Sequence, residues 1–229
     1  VTRTAARCRC TNGSPYPIRF MSCCQAADRF FDDTMARHDL RRYRRRGPLR
    51  SARKMLMALG PVDGRSILDI GGGVGAVTHG VLAAGAHRVT AVDASRAYLQ
   101  ALVQEAQRQG HAERITTRFG DFTTLAADLR PVDVATLDRV LCCYPNLDLL
   151  LTTVAQQTRW RIGMVYPRGT WWSCMGIRLF NIIQMARHHA FRVFHHDPSN
   201  VDALLQAAGF QLAASDQTLI WQIAIYERA

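Results

Sequence analysis

The spacing of apolar positions changes along the chain. From residue 21 to about 58 they recur at helical spacing, with Phe30, Phe31, Met35 and Leu40 on one stripe. Gly47-Pro48 interrupts the stripe, and a second helix is predicted over 49–59, closed by Gly60. Beyond that point short apolar runs alternate with longer helical stretches. Strands are predicted at 66–70, 88–92, 115–118, 132–137 and 161–166. Helices are predicted from the glycine-rich turn to Ala84, over 96–109 before Gly110, and over 147–158. A helical insert at 171–187, a helix at 200–208 and two strands, 210–214 and 219–226, follow; a polar turn around Asp216 joins the strands.

Strands that alternate with helices of this length imply a parallel sheet covered on both faces. The last two strands are too close in sequence for a parallel crossover, so they must form an antiparallel hairpin. The predicted fold is α/β and Rossmann-like: a seven-stranded sheet of five parallel strands and a terminal hairpin, flanked by helices. The expected organisation is a loosely packed extension (1–20), an N-terminal helical cap (21–60) and a main domain (61–229) with a helical insert at 167–199.

Composition narrows the class. The chain has 229 residues, 48% apolar and 21% charged, which is globular rather than disordered. No apolar run reaches the ~18–20 residues of a membrane-spanning helix. The net charge of +11 is uneven. Residues 21–60 hold nine Arg and one Lys against four Asp, whereas residues 61–229 are nearly balanced. That is not the uniform basic coat of a nucleic-acid binder. The first twenty residues lack the apolar stretch of a secretory signal, so a cytoplasmic protein is expected.

The chemistry concentrates in ILDIGGGVGAVTHG, residues 67–80. Asp69, Gly71, Gly73 and Gly75 fit D-x-G-x-G-x-G, with Gly72 between them, at the junction of a strand and a helix. Glycine there lets the backbone turn tightly and approach a ligand. Asp93, with Ala94 and Ser95, ends the second strand, where a carboxylate can accept from both ribose hydroxyls. The third glycine of a dinucleotide fingerprint is missing. Asp69 suits a cationic amino-acid moiety and would repel a pyrophosphate. The cofactor read from these residues is S-adenosyl-L-methionine rather than a nicotinamide dinucleotide.

ILDIGGGVGAV, AVDAS and FGDF resemble the first three motifs of class I S-adenosylmethionine-dependent methyltransferases over roughly residues 50–229. The resemblance implies that Asp69 and the glycine turn contact the methionine moiety and Asp93 the ribose. Asp121 would meet the adenine amino group and Phe122 its ring, and Asp138 would face the methyl-transfer centre. More narrowly, FFDDTMARHDLRRYRRRGPLRSARKML, LDRVLCCYPN and VYPRGTWW resemble the magnesium-protoporphyrin O-methyltransferase family. That family carries His-Tyr-Pro after the fourth strand, where this chain has Cys143-Tyr144-Pro145, and a cap tyrosine where Phe30 aligns. Both departures remove polar groups.

The expected reaction is methyl transfer, with O-methylation favoured, to a small amphiphilic or anionic acceptor. The alternatives are a porphyrin carboxylate methyltransferase and a non-catalytic nucleic-acid binder. A carboxylate acceptor needs a positive clamp, for which Arg139, Arg168 and the Arg41–Arg46 run are candidates. An acceptor that must lose a proton needs a base, for which His196 and Tyr144 are candidates. Cys143 is expected beside the acceptor, and Tyr43 over the cofactor. The expected acceptor pocket is apolar from Trp171, Trp172 and Phe30. No metal is expected, because the adjacent cysteine pairs lack zinc spacing and read as reduced thiols. The insert reads as amphipathic, with Trp172, Met175, Leu179, Ile182, Ile183 and Ala186 on one face, so either lid packing or peripheral membrane contact is expected of it.

Overall fold

The computed structural model describes residues 23–229, so the predicted extension over 1–20 lies outside the described residues. Strands β1 (Ser66–Ile70), β2 (Arg88–Asp93), β3 (Ile115–Phe119), β4 (Val132–Asp138) and β5 (Thr158–Pro167) run parallel. Strands β6 (Phe210–Gln217) and β7 (Trp221–Arg228) are antiparallel, and β7 pairs with β5. The order β3-β2-β1-β4-β5-β7-β6 makes the predicted seven-stranded sheet. It reverses direction between β1 and β4, the place where open α/β sheets take up ligands.

Alternation along the strands fills two cores. Ile67, Val89, Val134, Val165 and Ile225 face one side, where α3 (Arg50–Leu59) and α4 (Ala76–Ala83) cover them through Ala52, Met55, Leu59, Val77 and Val81. Leu68, Leu137, Met164 and Tyr226 face the other, under α7 (Leu147–Gln157) and α9 (Pro198–Ala207). Thus α3, assigned to the cap from sequence, has its apolar stripe in the sheet's core.

The first predicted helix is broken. Helix α1 (Cys23–Phe30) stops, Asp32 accepts from the Met35 amide, and α2 (Asp33–Arg46) begins on that cap. Asp32 ahead of an apolar stripe was the available sign. Helix α2 packs Ala36 and Leu40 against Val74, Tyr98 and Ala101, the last two on α5 (Arg96–Gln109). Three hydrogen bonds tie the cap down: Ser95 Oγ to the Phe31 carbonyl, the Arg96 amide to Asp28, and the Tyr98 hydroxyl to Asp39. Arg44 of the basic run meets the buried carboxylate of Glu105 at 2.7 Å. Tyr43 lies against the ring of His79, 5.8 Å between centroids, rather than in the cavity described below.

Two boundaries differ from the predicted ones. Thr158 is in β5, not in the preceding helix. The hairpin turn falls at residues 218–220, and Asp216 sits inside β6, paired opposite Ile223. Strand β6 lies at the sheet edge, where its outward residues meet water, so a polar Ser-Asp-Gln run persists as strand. A short helix, α6 (Phe122–Leu125), capped by Asp121, was not predicted.

The insert is helix α8 (Trp171–Ala186), reached directly from the carboxyl end of β5. Its orientation is the reverse of a core helix. Ser173 and Gln184 are buried, at 8% and 4% exposure, while Trp171 and Leu179 are 73% and 57% exposed. The side-chain amide of Asn181 explains the turn inward of the polar face. It donates to the Val193 carbonyl and accepts from the Val193 amide, satisfying the backbone of the extended segment that follows.

Candidate functional site

Three strands end in aspartates at the point of reversal. Asp69 precedes the last residue of β1, and Asp93 and Asp138 close β2 and β4. Asp69 is buried, accepting from the hydroxyls of Thr78 at 2.6 Å and Thr136 at 2.8 Å. Burial pushes its carboxyl up to about 6 against those two hydrogen bonds. Asp93 accepts from the Gly73 amide and the Ser95 amide, both at 2.8 Å. Burial raises it likewise to about 6. Oδ2 of Asp138 meets Arg139 at 3.3 Å, and its buried Oδ1 has no hydrogen-bond partner.

The glycine turn wraps these carboxylates. Gly71 and Gly73 have φ of +64° and +55°, the left-handed region that suits glycine. A Cβ on Gly71 would lie 2.3 Å from Val140, so that backbone is pressed against the loop after β4. A Cβ on Gly73 would meet nothing nearer than 3.8 Å. Gly75, also left-handed, caps α4.

A cavity of about 550 Å³ opens over this edge, within the usual range for small-molecule sites. Its floor is Asp69, Gly71–Gly73, Asp93, Ala94, Phe122 and Asp138. Its other wall was not foreseen as a unit. Phe30 stacks on Phe191 at 4.5 Å, Phe180 of α8 stands 6.1 Å from Phe30, and Phe31 lies between Phe191 and Tyr98. Phe180 and Phe191 were missed because they come from the inward face of α8 and the irregular segment after it. No periodicity marks either residue as inward.

Arg139 lines the cavity at the junction of the two halves. Its backbone is left-handed, φ +62°, a strained state for a non-glycine residue and one that gathers at functional sites. The guanidinium lies 6.0 Å from the Trp221 ring, and its buried Nε has no partner. Arg42, alone of the Arg41–Arg46 run, also lines the cavity.

The turn after β4 presents Cys142, Cys143 and Tyr144 to the cavity. Both thiols are free and point to the Arg139 carbonyl. The Cys142 contact and burial hold the Cys143 thiol above its ordinary range. Burial, then the Asp121 charge, raise the Tyr144 phenol well above its ordinary value; it donates to Asp121 at 3.0 Å. Phe122 is a lining residue and Asp121 is not, though the Tyr144 bond holds it just behind.

Gly75, Ser95 and Asp121 lie just outside the lining, and two of the catalytic candidates stand outside the cavity as well. Arg168 donates to the Thr218 carbonyl and braces the hairpin turn. His196 donates through Nε2 to the Tyr144 carbonyl at 2.8 Å, and burial lowers its pKa. With the Phe194 amide bonded to the Cys142 carbonyl, it clamps the 142–144 turn from behind. Trp171 and Trp172 are likewise absent from the lining. Among the described residues no group of three or more His, Cys, Asp and Glu could hold a metal ion.

These residues fit S-adenosylmethionine. The buried unpartnered oxygen of Asp138, near the buried carboxylate of Asp69, suits a cationic group, and the glycine turn leaves room for backbone approach. Comparison with known proteins bears on the same region. A family model described as a methyltransferase domain matches residues 67–159. Magnesium protoporphyrin IX methyltransferase from Synechocystis PCC 6803, solved with bound S-adenosylmethionine, superposes with a TM-score of 0.68 at 18% identity, over 92% of this chain and 99% of that one. The putative methyltransferase solved with the Trm112 activator of Haloferax volcanii also gives 0.68, at 14% identity over 88% and 97%. A putative RNA methyltransferase from Pyrococcus horikoshii gives 0.57, at 15% identity over 80% and 84%. Likeness at these identities establishes the fold. A search of curated proteins finds no match. The matched segment contains the glycine turn and all three strand-end carboxylates, so fold and cofactor motif coincide in one stretch, and the chain carries a methyltransferase domain over residues 67–159.

Proposed function

We propose that the enzyme O-methylates a small amphiphilic acceptor bearing an ionised oxygen, most simply a carboxylate. One observation carries this reading: Arg139 and the phenylalanines 30, 31, 180 and 191 line the same cavity as the glycine turn. S-adenosylmethionine, when bound, supplies a sulfonium methyl carbon open to in-line attack. The chain's own task is then positioning. Gly71–Gly75 would hold the methionine moiety, with Asp69 and Asp138 beside its cationic end. Asp93, flanked by Ala94 and Ser95, would accept from the ribose. Phe122 would pack on the adenine and Asp121 would accept from its amino group.

The acceptor side follows from charge and shape. The fork of Arg139 can hold a carboxylate by two hydrogen bonds, and Arg42 adds a second positive charge. The phenylalanines exclude water and hold the apolar body of the acceptor. A carboxylate is ionised at neutral pH and needs no base. That agrees with a cavity whose Tyr144 and Cys143 are both held protonated and from which His196 is set apart.

A magnesium-porphyrin carboxylate is the second reading. It is favoured by the Synechocystis neighbour, whose likeness extends over 92% of this chain. Transfer of labelled methyl groups to a cell extract tests the first reading. Label is expected in a base-labile, solvent-extractable small-molecule ester. Label in tRNA or rRNA would refute it, and turnover of added magnesium protoporphyrin would select the second reading.

A further inference from the structure

The outward face of α8 is a continuous apolar surface. Trp171, Trp172, Met175, Leu179, Ile182, Ile183 and Met185 are all exposed on one sixteen-residue helix. Leu219 and Ile220 of the hairpin turn, also exposed, adjoin its start, because the Arg168 amide bonds to the Ile220 carbonyl three residues before α8. Scattered exposed apolar residues are ordinary, but a patch of this extent marks an interaction surface.

The charge around it selects the occupant. On α8 and in the segment that follows it, residues 171–196, the chain has three arginines and no acidic residue. Arg178 and Arg187 are exposed on or at the end of α8, with His188 and His189 next to them. We infer that this face docks on an anionic lipid surface. The helix would lie in the interfacial plane, its tryptophans, leucine and isoleucines entering the boundary between headgroups and acyl chains while the arginines meet lipid phosphates. A second copy is the poorer occupant. A two-fold contact centred on this helix would set Arg178, near its midpoint, against its own image with no acid on the helix to offset it. The opposite face of α8 supplies Phe180 to the cavity, so a docked helix has lipid on one side and the active site on the other. Lipid contact does not depend on which acceptor is methylated.

Sedimentation of the full chain with phosphatidylcholine vesicles, with and without about one third phosphatidylglycerol, tests this. Binding to the anionic vesicles is expected, weakening as salt rises from about 0.1 to 0.5 M. The double variant Leu179→Glu/Ile182→Glu should bind at least about tenfold more weakly. Neither residue lines the cavity, so stabilisation by S-adenosylhomocysteine should persist and show that the variant is folded. Arg178→Glu/Arg187→Glu should lose the preference for phosphatidylglycerol. Absence of binding by the folded wild type, or equal binding by the Glu variant, overturns the inference. So does a wild-type dimer in sedimentation velocity that the Glu variant turns into a monomer.

Discussion

The two walls of the cavity are built by opposite means. The glycine-turn wall is backbone and buried carboxylate: Gly71 is pressed on Val140, and Asp93 is bonded to the amides of Gly73 and Ser95. The turn's backbone and the Asp93 carboxylate are each held by a fixed neighbour. The facing wall is side chains from four separate places: Phe30 and Phe31 at the end of α1, Arg139 after β4, Phe180 on α8 and Phe191 beyond it. Its elements are held by polar ties between segments distant in sequence, such as Ser95 to Phe31 and Asn181 to Val193. A rigid wall suits an invariant ligand, and an assembled wall can be changed residue by residue to suit another acceptor. Several substitutions can break or sharpen that contrast.

The largest effect is expected at Asp93. Asp93→Ala should weaken S-adenosylhomocysteine binding by about 100-fold or more, since hydrogen bonds to a charged group contribute roughly 1.5–3 kcal/mol each. Calorimetric titration measures it, and affinity within tenfold of wild type would remove Asp93 from the cofactor site.

On the assembled wall, Arg139 and Arg168 should separate. Arg139→Ala should lower kcat/KM for the acceptor by about 30-fold or more, the loss of a charged bidentate contact, with cofactor affinity nearly kept. Arg168→Ala should leave the acceptor kinetics within about threefold, because its guanidinium serves the hairpin. Equal losses would erase the distinction drawn from the cavity lining.

Acidity probes the rigid wall again. Asp69 and Asp93 both titrate at about 6 in the ligand-free protein. If a cationic cofactor and its ribose prefer the ionised carboxylates, affinity is full above that range and falls as pH falls through it. Between pH 7 and pH 5 the loss should be about tenfold for each group. An affinity flat over that interval would show that neither carboxylate faces the ligand.

Substitution inside the turn gives a smaller, steric contrast. Gly71→Ala places a methyl 2.3 Å from Val140 and should cost about 2–3 kcal/mol of stability. Gly73→Ala has space and pays only for its left-handed backbone, about 1 kcal/mol. Chemical denaturation of the two variants checks the order. The smallest effect is expected at the cap: Arg44→Ala should lower Tm by about 2–4 °C, the worth of roughly 1 kcal/mol in a chain of this size. A much larger drop would mean that the cap is part of the rigid wall.

The glycine turn, the strand-end aspartates and the alternating elements were legible because they answer to local rules. A left-handed turn needs glycine, a buried strand needs an apolar run, and a chain that alternates strand with helix has few ways to fold. The sequence by itself therefore determined the sheet, its terminal hairpin and the glycine turn with its strand-end aspartates. Only the tertiary structure decided which arginine reaches the cavity, that Phe180 and Phe191 join Phe30, and that α8 turns its apolar face outward. Those outcomes depend on contacts between segments distant in sequence. The amide of Asn181 claims the backbone at Val193 and so draws the polar side of α8 inward, and no periodicity along the helix records the existence of that partner.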